Sequence, residues 1–195
     1  MAGKTNNTDH KILIAAIQII QDKGESGISL RRLASVIGVT TGAFYKHYAN
    51  KDQLFRAITK EISHQVTEEA RVALMEVQNA KEKLLVLADV LLTWFQKQPN
   101  LMNFMFFNPM AQRTITESET DFELLNMTMD LINGLVEGSQ STVESQRLFI
   151  QIWSFIQGYG LLLKNKVVDY DRELLETTLD EYLEGTNYGT SCNRL

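Results

Sequence analysis

Three histidines, one cysteine and twenty-four acids are the side chains this sequence could bring to catalysis or to a metal ion. Their spacing suits neither. No His-Glu-x-x-His zinc pair, Gly-x-Ser-x-Gly nucleophile turn, phosphate loop or Cys-x-x-Cys motif occurs around His10, His47, His64 or Cys192. His64 and Glu68 stand one helical turn apart, but two ligands do not hold a metal ion. Glu68 and Glu69 read as solvated helix surface. No enzyme, cofactor or metal site is therefore expected. Polar chemistry is densest elsewhere: Thr40, Thr41, Tyr45, Lys46, His47 and Lys51 fall within twelve residues. Hydroxyls, amines and ring nitrogens are the groups that bond base edges and phosphate oxygens.

Such residues need a support that turns them toward solvent. The stretch Ser29–Phe55, SLRRLASVIGVTTGAFYKHYANKDQLF, reads as that support. Ser29 is placed to cap a helix over Leu30–Ile37, and Gly38 ends it with a cheap positive φ. Thr40 or Thr41 then caps a short helix to about His47. Ala34 is small where the two helices must cross. Leu33, Ile37, Val39, Phe44 and Tyr48 are spaced to fill the wedge against a first helix, Asp9–Lys23. That helix carries Ile12, Leu13, Ala16, Ile17 and Ile20 on one face and stops at Gly24. The third helix has few large apolar residues. It would make a poor core helix, but a helix fits a major groove about 12 Å wide.

The rest of the chain continues in the same style. Asn50 caps a fourth helix from Lys51 toward Met75, and further helices are expected over Ala80–Lys97, Leu101–Met110, Asp121–Val136, Thr142–Lys166 and Asp171–Leu183. Gln112–Thr120 reads as a polar connection. The fold class is all-α with about nine helices and no strand. The division expected is a helix-turn-helix domain over 1–50, linked by the helix 51–76, and a larger helical domain over 51–195. With 44% hydrophobic and 22% charged residues, the chain has ordinary globular composition. Its net charge of −5 argues at first against a nucleic-acid partner. The distribution of charge argues the other way: residues 1–51 hold seven Lys/Arg against three acids, +4, and the remainder twelve against twenty-one, −9. A polar opening through Lys11 and the lack of any apolar run of about 18–20 residues predict a soluble, cytoplasmic protein without a membrane partner.

The run Gly38-Val39-Thr40, Gly42, Ala43, Phe44-Tyr45, Lys46-His47-Tyr48 and Asn50-Lys51 resembles the DNA-binding domain of TetR-family regulators, over roughly residues 10–57. The resemblance implies an all-helical continuation and a set of DNA contacts. Thr40, Thr41, Gly42, Ala43 and Lys46 become base-edge candidates at the exposed start and outer face of the third helix. Tyr45, His47 and Lys51 become phosphate contacts, Lys51 together with the free N–H groups opening the fourth helix. Tyr48 reads as core, core packing is the alternative for Tyr45 too, and Arg31 and Arg32 read as either backbone contacts or solvated charges.

For the second half, methionine and aromatic density points to a cavity for a small, largely apolar effector. Trp94, Met102, Met105, Phe106, Phe122, Met127, Trp153 and Gln157 are its candidate lining, against the alternative that each is plain core. The segment WSFIQGYG, Trp153–Gly160, looks like a pattern in some TetR-like C-terminal domains, with Gln157 where those carry His. The resemblance further implies a homodimer through the last two long helices, acting as a repressor on a pseudo-palindromic operator. The competing class is a helical small-molecule-binding or scaffolding protein that does not touch DNA.

Overall fold

The computed structural model describes residues 5–109, 122–138 and 144–184, and these form nine α-helices and no strand. They are α1 Thr5–Lys23, α2 Leu30–Ile37, α3 Thr41–Phe44, α4 Lys51–Leu74, α5 Ala80–Lys97, α6 Pro99–Phe107, α7 Glu123–Gly138, α8 Ser145–Lys164 and α9 Arg172–Glu184, with a 3-10 turn at Glu25–Gly27. Several ends are chemically marked. Ser29 Oγ accepts from Arg32 N at 3.1 Å, and Gly38 closes α2 at φ 74°. Pro99 opens α6, where its missing N–H costs nothing. The connection expected over Gln112–Thr120, and Met110, lie outside the described residues.

By contacts the chain divides into two compact units. The first takes α1–α3, α4 up to Gln65, residues 98–109 and Phe122; the second takes residues 66–97, 123–138 and 144–184. This grouping is wider than the 1–50 domain expected from sequence, because α6 belongs with α1. Gln21 Nε2 donates to Gln98 Oε1 at 2.8 Å, and Asn100 Nδ2 donates to the Gln21 carbonyl at 2.9 Å. Phe104 meets Phe55 edge-on at 4.9 Å between ring centres.

The core of the first unit contains Ile12, Ala16, Ile20, Leu33, Phe44, Leu54, Phe55 and Ile58, none of them measurably exposed. Each large member contributes about 1.5–3 kcal/mol by leaving water. In the second unit α5 packs on α7 and α8, and α8 on α7 and α9. Gly160 allows the α5–α8 approach, since a Cβ there would overlap the Phe95 ring. Arg172 ties α9 to α5 through Asp89 and through Glu82 at 2.7 Å, while its Nε holds Glu176 at 3.0 Å. Lys81 and Asp180 add a second tie at 2.6 Å.

Candidate nucleic-acid interface

Thr40 caps α3: its Oγ1 accepts from Ala43 N at 3.1 Å. That oxygen is thereby engaged by the helix, while the residue itself is exposed. Regular α-helix ends at Phe44, short of His47, because the next turn tightens. Lys46 N bonds the Ala43 carbonyl at 3.2 Å, and His47 N bonds the Phe44 carbonyl at 2.9 Å. Phe44 is fully buried and pins this short element to the core, with the rings of Tyr45 and Tyr48 about it. One face is therefore anchored. Thr40, Thr41, Gly42, Tyr45 and Lys46 are exposed or half-exposed on the remainder, and Ala43 is half-buried.

Beyond its chain neighbours and its own helix backbone, no atom among the described residues lies within 4 Å of the place where a Gly42 side chain would begin. The backbone there is open to close approach, which a base edge or phosphate requires. Beyond the turn, Asn50 Oδ1 accepts from Gln53 N at 2.8 Å and Gln53 Oε1 accepts from Ala49 N at 2.9 Å, fixing the start of α4. Lys51 stands in that first turn, exposed, its Nζ 4.6 Å from the centre of the Phe55 ring. A cation beside the free N–H groups of a helix start suits an anion. Arg31 and Arg32 on α2 are also exposed.

His47 is more covered than Tyr45 and Lys46 beside it. Its side chain is only 14% exposed, with Nδ1 2.6 Å from Asp9 Oδ1 on α1. Sequence spacing gave no sign of this contact, since the two residues lie on separate elements far apart in the chain. Tyr48 is buried, as expected; burial, and then the charge of Asp9, push its phenol above the usual 10.

The eight residues expected to line an effector cavity divide between the two units. Met102, Met105, Phe106 and Phe122 are core residues of the first unit. Trp94, Met127, Trp153 and Gln157 belong to the second. Trp94 donates from Nε1 to Glu69 Oε2 at 2.7 Å, and Trp153 stacks on Phe149. Met127 borders a surface notch with Arg71, Leu74 and Asp130, while Gln157 is half-buried. An apolar pocket that sequence reasoning missed lies between α5, α8 and α9, bordered by Leu84, Ala88, Ile156, Leu175 and Leu179. At ≈ 30 Å³ it has room for about one water. Its components were legible as apolar stripes, but the pairing of three stripes was not.

A solvent-facing, capped helix beside a partner helix that ends in a glycine turn defines a helix-turn-helix DNA-binding domain. Residues 12–58 match the family model of the bacterial regulatory proteins of the tetR family. Among curated proteins it is similar to the nucleoid occlusion factor SlmA of Marinobacter nauticus, at 26% identity over 52% of each chain. It is also similar to that of Vibrio cholerae, at 25% identity over 93% of this chain and 95% of the other. Among solved structures it resembles the transcriptional regulator FadR of Bacillus subtilis in complex with stearoyl-CoA. That match has a TM-score of 0.69 and 20% identity, covering 90% of this chain and 98% of that one. A TetR-family regulator from Marinobacter aquaeolei matches with a TM-score of 0.64 at 16% identity, over 94% and 97% of the two chains. At these identities the solved structures establish the fold.

Proposed function

We propose that the protein is a ligand-responsive repressor: a homodimer that binds a pseudo-palindromic operator and is released by a small, largely apolar effector. The observation that carries this reading is the exposed face of α3 and of the turn after it, with Thr41, open-backboned Gly42 and Lys46 exposed beside the Thr40 cap and the buried Phe44. Thr40, Thr41, Gly42, Ala43 and Lys46 meet base edges; Tyr45 and Lys51 meet phosphates. No catalytic step is assigned to any residue.

The dimer is proposed through α8 and α9. Leu161, Leu162, Val168 and Leu174 are exposed there, and Gly158 has open space where its side chain would begin. Gly160, in contrast, serves packing within the chain. Two readers per dimer would meet half-sites about 34–36 Å apart, or a multiple of that distance. FadR of Bacillus subtilis holds stearoyl-CoA, and its acyl chain is a guest of the proposed apolar kind. An effector that binds the released form about 5–150-fold better shifts the equilibrium by about 1–3 kcal/mol.

A second reading is favoured by the similarity to nucleoid occlusion factors over nearly the whole chain. In that reading the same α3 binds DNA without a small effector. A mobility-shift assay on the DNA upstream of the protein's own gene tests both. A retarded band weakened by molecules extracted from the purified protein supports the first; a band that no extract weakens favours the second. No band at any protein concentration contradicts both and leaves a helical binding protein that ignores DNA.

A further inference from the structure

One carboxylate sits beneath the turn that leaves the reading helix. Asp9 Oδ1 lies 2.6 Å from His47 Nδ1, and among the described residues no other hydrogen-bonding group reaches either atom. The same carboxylate acts on Tyr48, the next residue. Two charged or polar side chains of the turn thus look back at α1, not outward. An α-helix of four residues has no stability of its own. Its pose depends on what holds its ends. Thr40 caps the first end, Phe44 anchors the middle, and the Asp9–His47 contact holds the last.

We infer that Asp9 is a positioning residue for DNA reading. Through His47 it sets the pose of the end of α3, and with it Lys46, while His47 itself is not a phosphate ligand. The inference rests on the DNA-reading proposal above. Charge alone predicts the opposite sign for Asp9. Its side chain is 40% exposed on a surface that would face phosphate, so a carboxylate with no positioning role repels DNA, and its removal tightens binding.

The test uses the duplex that the wild-type protein enriches from a random pool. Affinity and its salt dependence are measured for Asp9→Asn, Asp9→Glu, His47→Gln and the double variant Asp9→Asn/His47→Gln. Asp9→Asn and His47→Gln should each weaken binding about three- to ten-fold. The double variant should bind no worse than the weaker single, the salt slopes should match wild type, and Asp9→Glu should recover most of the loss. Tighter binding by a folded Asp9→Asn overturns the inference. So does a salt slope about one smaller for His47→Gln, the signature of a lost phosphate contact. If thermal melting shows Asp9→Asn unfolded, the His47→Gln slope decides alone. A pool from which wild type enriches nothing contradicts the DNA-reading proposal itself.

Discussion

A methyl group added at Gly42 would meet nothing among the described residues within 4 Å beyond its chain neighbours and its own helix backbone, whereas one added at Gly160 would overlap the Phe95 ring. The two glycines sit inside helices for different reasons, and alanine separates them. Gly160→Ala should destabilise the protein by about 1–3 kcal/mol through overpacking, read as a lower urea midpoint. Gly42→Ala should leave the fold as stable or raise it by up to about 1 kcal/mol, yet weaken operator binding if the backbone approaches DNA. Unchanged affinity would remove Gly42 from the interface. Lys51→Ala should weaken binding to all duplexes alike and lower the salt slope by about one, measured by titration at several salt concentrations. At this scale the caps were legible in the sequence, because Ser29, Gly38, Thr40 and Asn50 act on close neighbours in the chain. The contacts of His47 and Arg172 were not. Each charged group could pair with many others, and only the fold chooses Asp9 for one and Asp89 with Glu82 for the other.

The elements show the same division between local and long-range information. For Leu30–Ile37 and Ala80–Lys97 the bounds expected from sequence are those of the structure, since cap and stripe coincide there. The third helix is shorter than its sequence suggests. Its tightened last turn comes from backbone bonds that no side chain announces. The grouping of α6 with α1 was also hidden, because a densely apolar segment can bury itself against any partner. The N-terminal side of α9 carries a testable electrostatic feature. Tyr170 bonds Asp89, and its phenol is pushed up to about 12, first by burial and then by that bond and charge, against the opposing effect of Arg172. The folded protein therefore holds this proton more tightly than the unfolded chain does. The stabilisation is full below about pH 10 and is lost as pH rises through about 12. Urea unfolding at about pH 9 and about pH 11 should show a steeper alkaline loss of stability in wild type than in Tyr170→Phe. Parallel losses would show that the proton is not held.

For the whole molecule, the sequence carried the split between a basic head and an acidic body, and with it the choice of DNA as partner. Where an effector would sit was not legible, because methionines and aromatics serve a core and a cavity equally well. Four of the eight candidates belong to the first unit and four to the second. No helix among the described residues is long and apolar enough to cross a membrane. A dimer through α8 and α9 predicts that Leu162→Glu with Leu174→Glu yields monomers by analytical ultracentrifugation. Operator binding should then weaken by far more than any single α3 change causes, since paired readers are lost. Dimers that persist in this variant would place the interface elsewhere. The most direct test of DNA reading by α3 is selection of duplexes from a random pool by wild type, Thr41→Ala and Lys46→Ala side by side. The expected result is an inverted repeat for wild type, with the preferred base changed at symmetric positions in each variant. The same motif from all three proteins, or no motif from any, would contradict it.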